Sequence, residues 1–165
     1  MMNRILHNTI LYRILQWTWG FPQTLAGAVL YLALRRRPHA SYMGARVTEW
    51  PFETSLSLGM FLFLSESIGS KYHTFEERLH NERRTSRLLV HEYGHSIQSL
   101  MMGPIFLLAV GLPSVIWNQL PVCEQKRIAK NISYYSVYPE NHANRLGEKY
   151  LQKQAAGSNT RFETE

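Results

Sequence analysis

The chain has 165 residues, 45% of them hydrophobic and only 18% charged, with a formal net charge of +6 and a pI near 9.6. That length suits one domain, and the single cysteine, Cys123, excludes an internal disulfide framework and a CxxC metal site. No arginine–aromatic or glycine-rich pattern marks a nucleic-acid module, so the positive charge points to the anionic face of a membrane instead.

Ile14 to Leu34 (ILQWTWGFPQTLAGAVLYLAL) carries no charge and is long enough to cross a bilayer as a helix. Trp17, Trp19 and Tyr31 lie toward its ends, where amphipathic rings favour headgroups. Gly20 and Pro22 predict an early kink. The run leads into Arg35-Arg36-Arg37 rather than a small-residue cleavage site, so residues 1–37 read as an uncleaved membrane-anchoring helix. By the positive-inside rule the arginines mark the cytoplasmic side of a bacterial inner membrane. The alternative for this run is a buried core helix.

Residues 38–155 then form the main domain. Val47 to Trp50 and Thr54 to Leu64 read as two strands of a small antiparallel sheet, with Pro51 near the turn and Gly59 as a bulge. Residues 67–82 are polar and mixed, a loop with a short helix. A helix capped by Thr85 or Ser86 follows. From Ser96 to Cys123 there is no charged residue, but Gly103-Pro104 and Gly111-Leu112-Pro113 interrupt the run. Two such breaks predict a re-entrant apolar hairpin over 96–123. A last amphipathic helix covers Glu140 to Gln154, and the polar residues 156–165 read as a disordered tail. The expected fold class is therefore α+β and membrane-associated.

His91-Glu92-Tyr93-Gly94-His95 is an HExxH motif. On a helix, positions i and i+4 share a face about 6 Å apart, so both imidazoles can reach one Zn2+ ion. Glu92 stands beside the first histidine, where its carboxylate can take a proton from water held by the metal. Leu88, Leu89, Val90 and Ile97 supply an apolar flank, and Gly94 allows another segment to come close to the metal face. A catalytic site needs a third protein ligand. The residues after His95 lack the glycine and histidine of a metzincin, and none of His7, His39, His73, His80 and His142 is placed to substitute.

Glu140-Asn141-His142-Ala143-Asn144 resembles the ExxA(D/N) pattern of gluzincin peptidases, including the CaaX-prenyl-protease and bacterial heat-shock membrane protease group. The resemblance implies Glu140 as the third ligand, a small Ala143 for close helix packing, and Asn144 orienting a ligand histidine from behind. The family has Asp at the last position; Asn can still accept from an imidazole N–H but lacks the charge. HEYGHSIQSLMMGPIFLLAVGLPS together with YYSVYPENHANRLG is also similar to uncharacterised small bacterial membrane proteins carrying metallopeptidase motifs.

The expected activity is hydrolysis of a peptide bond by a membrane-associated zinc metallopeptidase, with a peptide or protein as substrate, lipid as a partner and no nucleic acid. The alternative is a non-catalytic membrane protein or interaction module whose zinc site is structural or vestigial. Zinc peptidases often bind substrate as an added strand, for which the 54–64 strand is the candidate edge by analogy; the simpler reading, which is preferred, is a core strand packed on the metal helix. One of Tyr134, Tyr135 and Tyr138 is a candidate donor to a developing oxyanion, and a place at a membrane interface explains the three equally well. Arg78, Arg83, Arg84 and Arg87 read as a solvated or headgroup-facing surface.

Overall fold

The computed structural model describes residues 1–52, 54–65, 75 and 83–155, with side chains omitted at 83–85 and 152–155. Among these residues the order is α1 (Met2–His7), α2 (Thr9–Thr18), α3 (Phe21–Ala33), β1 (His39–Tyr42), β2 (Ala45–Trp50), β3 (Leu56–Leu58), β4 (Phe61–Ser65), α4 (Arg83–Met102), α5 (Leu112–Gln119), α6 (Pro121–Ala129) and α7 (Glu140–Ala155). A 3-10 turn (Gly103–Ile105) and a π-helical segment (Leu107–Gly111) link α4 to α5, and a second 3-10 turn (Tyr134–Ser136) precedes α7. The expected loop at 67–82 and tail at 156–165 lie almost wholly outside the described residues.

The α+β composition holds, but the sheet is mixed rather than antiparallel. Its order is β1-β2-β4-β3, with β1–β2 and β3–β4 antiparallel and β2–β4 parallel. The strand expected over 54–64 is two strands. Gly59, at φ +62, opens a two-residue turn between Leu58 and Phe61; with Met60 outside the left-handed region this is the II′ pattern, which wants glycine first. It is a turn, not a bulge. Thr24 lies so close that a Cβ on Gly59 would strike it. Every residue of β4 is buried, so both of its faces are covered, and β3 is left as an edge.

The helix α4 is the centre of the molecule: every residue from His91 to Leu100 is buried. A helix buried all round must find partners for its polar side chains. Ser96, Gln98 and Ser99 are polar and fully buried, and the amino-terminal helices partner two of them. The Gln16 amide donates to the Ser96 carbonyl and hydroxyl oxygens, both at 3.0 Å, and the Tyr12 hydroxyl pairs with the Ser96 Oγ at 2.5 Å. Ser99 donates to Gln16 at 2.9 Å, and Gln23 donates to Ser99 at 2.8 Å and to the Gly103 carbonyl at 3.0 Å.

These contacts overturn the membrane-spanning reading of 14–34. No helix among the described residues is long and apolar enough to cross a membrane, where about 20 apolar residues are needed. Trp19-Gly20 divides the run into α2, of 10 residues, and α3, of 13. Their buried faces carry Gln16, Gln23 and Thr24, while Trp17, Trp19, Val29 and Leu32 are exposed. Ile5, Leu6 and Tyr12 belong to the core with α4 and the sheet, so the first helices are built into the fold.

The re-entrant hairpin over 96–123 is corrected for the same reason. Ser96 to Met102 is the last part of α4. The chain turns at Gly103, which has φ +55 and packs so tightly on Trp19 that a Cβ has no room. Gly111 does not break the chain; the π-helical segment runs on into α5, whose first turn holds Pro113. With the spans gone, a membrane location with a cytoplasmic metal site has no structural support.

The remaining long contact is α4 against α7. Gly94 faces the Ala143 carbonyl and Gly147 faces the Val90 carbonyl, each so closely that a Cβ would collide. The absent side chains let the two helix backbones meet, and this brings the start of α7 beside the middle of α4.

Candidate metal centre

His91 and His95 lie one turn apart on α4, and Glu140 is the first residue of α7. All three are buried, Glu140 completely. Each offers one ligand atom, and these atoms lie within 4.8 Å of one another. Glu140 Oε2 stands 3.0 Å from His91 Nε2 and 3.5 Å from His95 Nε2. Three ligand atoms on ~2.0–2.1 Å bonds at tetrahedral angles lie roughly 3.3 Å apart, and the two distances bracket that value.

The protonation pattern also suits a cation. Gln98 donates from Nε2 to the Pro139 carbonyl at 3.1 Å. A carbonyl can only accept, so the amide orientation is fixed and Gln98 Oε1 faces His95 Nδ1 at 2.7 Å. The His95 proton therefore sits on Nδ1 and its Nε2 carries a lone pair. His91 Nδ1 meets Asn144 Oδ1 at 2.8 Å, which gives His91 the same tautomer. Two lone pairs thus converge on a carboxylate oxygen. Glu140 Oε2 is buried and has no aligned hydrogen-bond partner, despite its closeness to both rings. Ser114 donates to the other oxygen, Oε1. An orphaned carboxylate oxygen facing two imidazole lone pairs is a donor set that fits a divalent metal ion of the zinc type.

Without a cation, a proton performs part of this work. Burial disfavours a charged His91, but the adjacent Glu140 carboxylate, the charge of Glu92 and the Asn144 contact outweigh it, and the pKa is raised from 6.5. Burial likewise opposes a charged Glu140, yet His91, His95 and Ser114 hold its carboxyl well below the usual range. His142 is pushed down by burial, Arg145 and His95, and as a neutral ring it accepts from Gln98 Nε2 at 3.0 Å through Nδ1.

Glu92 is buried beside the cluster. Ser57 of the edge strand β3 donates to Glu92 Oε2 at 2.5 Å and to its main-chain carbonyl at 2.8 Å. Glu92 Oε1 has no hydrogen bond among the described residues. Of the three tyrosines, Tyr134 alone lines both cavities that reach the cluster. Burial and the charges of Glu140 and Glu92 push its pKa up, so its hydroxyl keeps its proton as a donor. Tyr135 packs its ring on His91, and Tyr138 points to the Met102 sulfur.

The structure thus gathers His91, His95, Glu92, Glu140 and Asn144 in one place. Gln98 and Ser114 were missed. Gln98 stands three residues after His95, on the same face, and a buried amide at that spacing is a usable signal; Ser114 belongs to a distant segment and carries none. Arg87 is exposed, and Arg78, Arg83 and Arg84 lie outside the described side chains. Comparison with protein-family models, curated proteins and solved structures found no match, so the likeness to gluzincins rests on the two motifs alone.

Proposed function

We propose that this chain is a zinc-dependent hydrolase acting on peptide bonds. The observation that carries the reading is the convergence of His91 Nε2, His95 Nε2 and Glu140 Oε2, with Glu92 as the carboxylate next in sequence to a ligand. Zinc bound there supplies a Lewis acid that polarises a carbonyl and brings the pKa of water to about 7.

The protein's own groups have separable tasks. Glu92, steadied at Oε2 by Ser57, takes a proton from water at Oε1 and returns it to the leaving amine. Asn144 and Gln98 hold the ligand rings in the tautomer that leaves Nε2 bare. The Tyr134 hydroxyl, kept protonated, donates to the oxygen that gains charge during attack. The edge strand β3 offers main-chain groups to an extended substrate.

The test combines metal content with turnover of fluorescently labelled casein. The wild-type chain should hold about one zinc, and His95→Ala and Glu140→Ala should lose it. Glu92→Gln should keep the metal and lose activity by about 10²–10⁴-fold, the usual worth of a general base. Full activity in Glu92→Gln would sink the mechanism. Zinc held equally by both forms, with no turnover in either across a substrate panel, would leave a structural site.

A further inference from the structure

Two cavities meet at the cluster, and their walls differ in chemistry. One, of about 420 Å³, has His91, Glu92, His95 and Glu140 in its wall. The other, of about 1020 Å³, reaches His91 and Glu92 as well. Tyr134 lines both. A chain laid across Glu92 therefore has a path into each.

The smaller cavity is walled by Leu56 and Leu58 of β3 and by Phe106, Val110, Leu112 and Val115 of the segment after α4. Phe106 and Val110 are almost wholly buried and form its back, while Leu112 and Val115 are each 52% exposed and form its rim. Apart from Glu92 and Glu140, the described residues lining it carry no formal charge. The larger cavity instead presents Arg87, Asn118, Asn144 and Glu148. Arg87 and Glu148 offer both signs of charge, and the two amides offer donors and acceptors.

We propose that the smaller cavity is the subsite that selects substrate, taking a bulky aliphatic or aromatic side chain beside the bond to be cleaved, while polar residues occupy the larger cleft on the other side. This rests on the hydrolase reading above. The volume fits: it is nearly three times the ~150 Å³ apolar cavity that holds a benzene ring, and it falls within the ~300–1,000 Å³ of ligand pockets. The chemistry fits also. Of the hydroxyls in its wall, Ser57 is engaged by Glu92 and Ser114 by Glu140, so a polar side chain entering between Phe106 and Val110 gives up water for little return. The occupant is defined by continuity with the cluster, since the same His91 and Glu92 that meet the scissile group form one wall.

The test uses zinc-loaded protein and calorimetry with three probes: acetohydroxamate, a leucyl-leucine hydroxamate and an aspartyl-aspartate hydroxamate. The leucine compound should bind tighter than the aspartate one by on the order of 100-fold, the scale of apolar-pocket discrimination. Val115→Trp, which fills the rim from an exposed position, should abolish that preference and leave zinc content and acetohydroxamate affinity unchanged. Leu112→Asp, which sets a carboxylate at the same rim, should do so too. Equal binding of the two dipeptide probes, or a preference untouched by both variants, overturns the subsite and leaves the hydrolase reading standing. Absence of zinc, or of acetohydroxamate binding to the zinc-loaded wild type, overturns the metal site and the subsite with it.

Discussion

The seam between α4 and α7 and the segment from Leu112 to Ala129 sit on either side of the same cluster, and they are built by opposite means. The seam is buried and backbone-tight, with Gly94 against Ala143 and Gly147 against Val90. It is cross-tied by His91–Asn144, Gln98–Pro139 and Gln98–His142. Helices α5 and α6 contain no buried residue. Polar anchors hold them: Ser114 on Glu140, the Trp117 indole on the Tyr134 carbonyl, and Arg127 on the Trp117 carbonyl and over the rings of Trp117 and Tyr134. The difference separates two duties. Packing that tolerates no added atom fixes His91, His95 and Glu140, whereas the outer helices rest on polar contacts at the surface.

The contrast breaks most readily at Gly94. Gly94→Val drives a branched side chain into the Ala143 backbone, and overpacking of this kind costs ~1–3 kcal/mol or more because neither helix can yield. Denaturant unfolding should show the full loss, with zinc binding lost in parallel. Gln98→Ala comes next. It frees the His95 ring and removes one of the two donors to the buried Pro139 carbonyl, which keeps the Ala143 N–H, and zinc affinity measured by chelator competition should fall ~10–100-fold, as for other residues that orient a ligand.

Acid should act on the seam in two directions. The metal-free His91 has its pKa raised above 6.5, so the stability it contributes is full below 6.5 and is lost as pH rises through the folded value. Glu140 has its pKa lowered from 4.5, so its contribution is present above 4.5 and fades as pH falls through the folded value. Zinc needs the deprotonated ring, so below the folded pKa of His91 its affinity should drop about tenfold per pH unit for the competing proton. Calorimetric zinc titrations between about pH 6 and 8, the ordinary histidine range, beside melting of the metal-free chain from pH 8 down to well below 4.5, would check both signs. The smallest effect belongs to the outer segment. Ile128 is 76% exposed, and Ile128→Gln should change stability by no more than ~0.5 kcal/mol in the same unfolding experiment.

Much of the site was legible because its parts are short and local. HEYGH sets two rings one helical turn apart wherever a helix forms, and ENHAN supplied Glu140 and Asn144 through its likeness to a known pattern. Gln98 escaped because its importance depends on Pro139, 41 residues away. The helices at the start were misread for a physical reason. Gln16, Gln23 and Thr24 are buried and the indoles of Trp17 and Trp19 are exposed, the reverse of the usual pattern, and an uncharged run gives no hint of which face will find partners. The parallel pairing of β2 with β4 was equally hidden. It follows from β3 taking the edge, and nothing in the short run LSL announces that.

That strand order carries a consequence for how the chain assembles. The β3–β4 hairpin closes over two residues and can form within microseconds, whereas β4 must find β2 by a longer excursion. The hairpin is therefore the local contact of the sheet, with β4 as its inner side and Ser57 on the outer strand. Ser57 meets Glu92 across the packing of β3 on α4, so that contact depends on the hairpin reaching the helix and not on its pairing with β2.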